Sequence, residues 1–124
     1  MIRPDQAFSR EAGAALTGAG VRVTRHVRMS ELTTFRLGGP CVALVDCPDA
    51  ASLAHAWSAL VSSGLNPLLI GGGSNLLVHD DGVGRVVVRY ASEQARPARE
   101  GDELVVPACL TLDELARYCV EAGL

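Results

Sequence analysis

The chain has 124 residues and a formal net charge of −3, with 48% hydrophobic and 20% charged positions. Those totals fit one compact globular domain and exclude a disordered chain. The acidic balance argues against nucleic acid or an anionic membrane surface as partner, and no apolar run nears the roughly 20 residues of a membrane span.

The first stretch, "MIRPDQAFSREAG", lacks the apolar core of a signal peptide, so a cytoplasmic protein is expected. Residues 5–18 have helical spacing, with Phe8, Ala12, Ala15 and Leu16 on one face and Gly18 and Gly20 beyond its end. From Val21 the period changes to two: Val23, Val27 and Met29 alternate with Arg22, Thr24, His26 and Arg28, the pattern of an extended arm or edge strand. "TTFRLGGP" then closes the arm on a Gly-Gly-Pro turn signal.

Val42–Cys47 is a short apolar strand stopped by Pro48, and Asp49 is positioned to cap the helix that follows. Leu53, Ala56, Trp57, Leu60 and Val61 form the apolar stripe of that helix, with Trp57 in the core, and Gly64 ends it. Leu68–Ile70 is a buried-type strand. Strand, helix and strand at this spacing form a βαβ unit, whose two strands are expected to be parallel neighbours.

Asp80, Asp81 and Gly82 read as a turn before a strand at Arg85–Tyr90, and His79 as an exposed turn residue. Residues 91–101 are polar and turn-rich, with a poor strand inside. Glu103–Val106 is a further short strand, and Thr111 with Glu114 makes a capping box ahead of an apolar face at Leu112, Leu115, Ala116, Cys119 and Val120. The cysteines (Cys41, Cys47, Cys109, Cys119) and histidines (His26, His55, His79) sit at no metal-ligand spacing, so no metal is expected and the thiols are expected to be reduced and mostly buried.

The unusual stretch is "LLIGGGSNLLV", residues 68–78. Three consecutive glycines weaken any regular element, so positions 71–73 need bare backbone. They follow the second strand of the βαβ unit, where open α/β sheets bind ligands. Their amides could form a nest for phosphate oxygens, with the Ser74 hydroxyl and Asn75 amide as further uncharged donors. All eleven basic residues are arginine, which excludes a Walker lysine, and the loop opens no helix as a Rossmann fingerprint does. On these residues alone, a phosphate site and a purely structural turn both stand.

"TTFRLGGP", "PLLIGGGSNLLVHDDGVGRVVV" and "DELVVPACLTLDELARYCVEAGL", in that order, resemble the UDP-N-acetylenolpyruvoylglucosamine reductase (UDP-N-acetylmuramate dehydrogenase) family from about Leu32 to Leu124. The resemblance implies an α+β, FAD-binding fold of the vanillyl-alcohol-oxidase (PCMH) type. Its expected parts are an N-terminal helix and arm at 1–31, a first lobe with the parallel βαβ unit at 32–90, and the start of a second lobe at 91–124. It implies that Gly71, Gly72, Gly73, Ser74 and Asn75 wrap the FAD diphosphate. It implies an NADPH-dependent oxidoreductase of peptidoglycan synthesis whose UDP-sugar substrate is held by the full-length enzyme. The family's catalytic serine, glutamate and substrate-binding arginine have no counterpart up to Leu124, so no catalytic residue is assigned and the chain alone is expected to be inactive and prone to self-association. Where the family usually has glycines before the capping-box helix, this chain has Pro107-Ala108-Cys109, so flavin binding is not extended there. Arg36, in the arm, could reach cofactor or substrate or serve as a surface ion pair. The alternatives are another FAD-linked oxidoreductase of the same superfamily, or a stand-alone non-catalytic nucleotide- or phosphate-binding module.

Overall fold

A computed structural model describes Phe8 and residues 10–124. The expected first helix is short, α1 at Arg10–Ala15, and Leu16 is buried just beyond it while Ala15 is exposed. The part of that expectation on residues 5–7 and 9 lies outside the described residues. β1 (Arg22–Thr24) is an edge strand, antiparallel to β2 (Cys41–Cys47). α2 (Ala50–Ser62) leads to β3 (Leu68–Ile70), and β4 is Val83–Tyr90. Among the described residues, no helix is long and apolar enough to cross a membrane.

The sheet order is β1-β2-β4-β3. β2 and β3 are parallel, as their spacing suggests, but they are not neighbours: β4 lies between them and pairs parallel with both. This corrects the adjacency expected of the βαβ unit. Val86, Val87 and Val88 of β4, like Ala43, Leu44 and Val45 of β2, are apolar and buried toward both faces, and strands buried on both sides take the two inner places of a sheet. Arg85 ties β4 to the entry of β3, its Nε donating to the Asn66 carbonyl at 2.8 Å and its Nη2 to the Pro67 carbonyl at 2.7 Å.

Two cores follow from strand alternation. Ala43, Val45, Cys47, Val86 and Val88 face α1 and α2, meeting Phe8, Ala12, Leu16, Ala56 and Leu60. Leu44, Val87 and Ile70 face the other way, under Val27, Met29 and Cys41. A register irregularity between Cys41 and Ala43 puts Val42 on the helix face beside Ala43, as a β-bulge does. Asp49 caps α2 as expected, accepting from the Ser52 amide at 2.7 Å. The buried face of α2, however, is Ser52, Ala56 and Leu60, an i, i+4, i+8 row. Trp57 and Val61 sit at its margin, 36% and 51% exposed, so Trp57 is not a core residue.

Beyond Tyr90 the architecture changes. β5 (Ala98–Glu100) and β6 (Glu103–Val105) form a separate hairpin turned at Gly101-Asp102, and α3 (Leu112–Glu121) carries the expected capping box. The Thr111 hydroxyl accepts from the Glu114 amide at 3.2 Å, and the Glu114 carboxylate accepts from the Thr111 amide at 2.7 Å. None of the residues of α3 is buried, and Leu112 and Val120 are at least 80% exposed. The fold is α+β, with the helices segregated from a mostly parallel sheet.

Candidate functional site

Residues 28–40 leave the sheet as a loop closed at its base. The Met29 amide donates to the Gly39 carbonyl at 2.8 Å, the Ser30 amide to Gly38 at 3.1 Å, and Arg28 bridges Pro40. Within the loop the buried Thr33 hydroxyl holds a turn, donating to the Leu37 carbonyl at 2.9 Å and accepting from its amide at 3.2 Å. Arg36 sits in that turn at φ 54°, with its side chain outward. The Gly-Gly of "TTFRLGGP" is more than a turn: a side chain at Gly39 would lie 1.9 Å from the Asp80 carbonyl, so the arm and the 79–82 turn cross backbone on backbone there.

The glycine loop leaves the C-terminal end of β3 and runs under this arm. Its three glycines are not equivalent. Gly73 has φ 71° and is buried against the arm; a Cβ there would stand 1.9 Å from the Leu32 carbonyl oxygen, and the Gly73 carbonyl accepts from the Thr34 amide at 3.0 Å. Gly71 and Gly72 are exposed, and a Cβ on either meets no atom within 4 Å. Nothing in the fold therefore requires glycine at 71 or 72. Among the described residues the amides of Gly72, Gly73, Ser74 and Asn75 donate to no other group, and Ser74 and Asn75 are exposed.

Gly72 opens onto a cleft of about 640 Å³ between arm and sheet, lined also by Ser30, Thr33, Thr34, Arg36 and Arg89. Glu31 is the one carboxylate that lines the cleft with Arg36 and Arg89, and its Oε1 accepts from the Arg28 amide at 3.0 Å. The sequence pattern left Arg89 unremarked inside the β4 expectation. A basic residue following three valines, matched to an aspartate inside "VALVDC", was the available signal. Other expected positions lie apart from the cleft. His79 is exposed in its turn, its Nδ1 accepting from the Asp81 amide at 3.1 Å, and His55 is on the exposed face of α2. Cys109 lies beside the Tyr90 phenol, which burial and that neighbour push up from its ordinary pKa. Cys41 and Cys47 are fully interior, and burial pushes both thiols up, Cys47 to about 11.

Comparison with known proteins bears on what this cleft is for. The UDP-N-acetylenolpyruvoylglucosamine reductase of Nocardia farcinica is 40% identical over 114 residues, 92% of this chain and 29% of that protein. The reductase of Azorhizobium caulinodans is 34% identical over 111 residues, 90% of this chain and 36% of the relative. The crystal structure of UDP-N-acetylenolpyruvylglucosamine reductase from Thermus caldophilus superposes with a TM-score of 0.60 at 29% identity, over 83% of this chain and 35% of that one. The chain belongs to the UDP-N-acetylenolpyruvoylglucosamine reductase family. No general family model matches it. The chain spans only about a third of the length of these reductases, so the likeness covers the sheet, the arm and the glycine loop and leaves most of each relative unmatched.

Proposed function

We propose that Gly71, Gly72, Gly73, Ser74 and Asn75 hold the diphosphate of FAD, and that the chain is the flavin-anchoring part of an NADPH-dependent enzyme. That enzyme reduces UDP-N-acetylenolpyruvoylglucosamine to UDP-N-acetylmuramate in peptidoglycan synthesis. The observation that carries this is the difference among the glycines. Gly73 is fixed by the arm, whereas Gly71 and Gly72 are bare without any need of the fold, and they sit beyond a parallel strand where ligands of such sheets bind.

The donor set fits a diphosphate. The amides of Gly72, Gly73, Ser74 and Asn75 donate to no group among the described residues, no side chain stands over Gly71 or Gly72, and the Ser74 hydroxyl and Asn75 amide add neutral donors. The loop binds and orients; the arm, clamped by the Thr34–Gly73 bond, forms one side of the cleft. FAD, when bound, supplies the hydride carrier. The UDP-sugar and NADPH are partners of the whole enzyme, and no acid or base of this chain is assigned to the chemistry. Residues 32–90 would form the first flavin-binding lobe, residues 91–124 the beginning of a second, with 1–31 as the leading helix and arm.

The test is the visible spectrum of the purified chain after mixing with FAD and desalting, with Gly72→Val in parallel. A flavin band retained by the wild type and lost in the variant, with unchanged circular dichroism, is the expected result. Equal retention by both proteins would remove the loop from the site.

A further inference from the structure

At the C-terminal end of the parallel strands two arginines share one carboxylate. Arg22 Nη2 donates to Asp46 Oδ2 at 3.2 Å, and Arg89 Nε donates to Asp46 Oδ1 at 2.7 Å. The three residues are cross-strand partners on β1, β2 and β4, so the sheet register itself aligns them. Within this triad one carboxylate balances one guanidinium and leaves one positive charge over, while Glu31 lines the cleft together with Arg36 and Arg89. Arg22 is 77% exposed and its charge is solvated, whereas the Arg89 side chain is only 31% exposed and Asp46 13%.

Arg89 uses Nε on Asp46, and among the described residues no group pairs with its two Nη nitrogens. In register it stands opposite Ile70, the residue just before Gly71, and it lines the same cleft as Gly72. A guanidinium anchored through Nε presents its two Nη groups as a rigid fork, the geometry that pairs with phosphate oxygens.

We propose that Arg89 is an anion-binding residue of this cleft, its Nη fork pairing with the diphosphate cradled by residues 71–75, and that Asp46 positions it. Asp46 holds the guanidinium at its Nε side, so the fork meets the ligand without a rearrangement. Arg22 occupies the second oxygen of Asp46, which keeps that carboxylate from opposing the anion. The identity of the ligand as FAD rests on the function proposed above; the anion site at Arg89 does not.

The experiment measures affinity for FAD and, separately, for inorganic pyrophosphate, using the 124-residue chain as wild type, Gly72→Val, Arg89→Gln, Arg89→Lys and Asp46→Asn, with circular dichroism to check folding. Arg89→Gln is expected to weaken both ligands by about tenfold or more, the loss of a charge-assisted pair, and to flatten the salt dependence. Arg89→Lys, which keeps the charge but not the fork, falls between wild type and Arg89→Gln, and it serves as the reporter should Arg89→Gln fail to fold. Asp46→Asn weakens binding less than Arg89→Gln, since the cation remains but is no longer held. Unchanged affinity for both ligands in the Arg89 variants, with FAD lost in Gly72→Val, overturns the role of Arg89 and leaves the FAD proposal standing. Arg89-dependent pyrophosphate binding without FAD binding supports Arg89 and overturns FAD as the ligand. A wild-type chain that binds neither overturns both.

Discussion

Replacing Gly73 by alanine sets two separable costs against the fold. The residue sits at φ 71°, where a Cβ costs about 1 kcal/mol in backbone strain. The new Cβ would also stand 1.9 Å from the Leu32 carbonyl oxygen and 3.1 Å from the Thr33 Cα, and these are backbone atoms that no rotamer change can move. The arm must therefore retreat. In doing so it gives up the Thr34–Gly73 hydrogen bond of 3.0 Å, a further loss of roughly 1 kcal/mol. Together with packing lost under the arm, the expected destabilisation is on the order of 2–4 kcal/mol, a large part of the ~5–15 kcal/mol that holds a domain folded. Gly72→Ala is the control. Its Cβ meets nothing within 4 Å, so its stability should stay within ~0.5 kcal/mol of wild type or rise slightly through the unfolded chain. Urea denaturation of the three proteins side by side measures the difference as midpoints at a common slope. A Gly73→Ala protein as stable as wild type, or a Gly72→Ala protein equally damaged, would refute the division of the loop into a docked and an open part.

Two further outcomes follow from ionisable groups. Burial, with Asp46 and Asp49 adding, raises the Cys47 thiol from 9.0 to about 11, so between those values the folded state keeps a proton that the unfolded state releases. Its contribution is intact below pH 9.0 and falls away as pH rises toward 11, by roughly 2–3 kcal/mol; Cys47→Ala should flatten that part of the alkaline stability profile, and an unchanged profile would count against the burial. Asp49 is shifted the other way, held below 3.8 chiefly by the Ser52 amide, so its support of α2 is present above that value and lost as pH falls through its folded pKa. Asp49→Ala should lower the urea midpoint at pH 7 and lose less than wild type on acidification, whereas Asp49→Asn, which still caps, should keep most of the midpoint; equal losses in the two variants would contradict the cap.

Local signals were legible in the sequence wherever the physics is local. The Asp49 cap, the Thr111–Glu114 box, the Gly101-Asp102 turn and the apolar strands depend on residues within a few positions of one another, and the structure has them all. Sheet order was not legible, because the insertion of β4 between β2 and β3 is decided by competition among strands for the doubly buried positions. Trp57 was misplaced for a related reason. A helical stripe spans more residues than the sheet beneath can cover, and the small Ser52 and Ala56 let α2 approach closely with Leu60 packed in the core, while the bulky indole stays at the margin. At the candidate site, the glycine run announced itself, but its division did not, since only the arm crossing above Gly73 separates it from Gly71 and Gly72. Arg89 became visible only when register set it beside Asp46 and opposite Ile70.

The most direct measurement is a titration of the isotopically labelled chain with FAD, followed through its amide NMR resonances. The amides of Gly72, Gly73, Ser74 and Asn75, which donate to no group within the described fold, should move first and furthest, with those of the hairpin β5–β6 unmoved. Saturating FAD that leaves these four resonances in place, or that shifts the hairpin instead, would contradict the assignment of the glycine loop to the diphosphate.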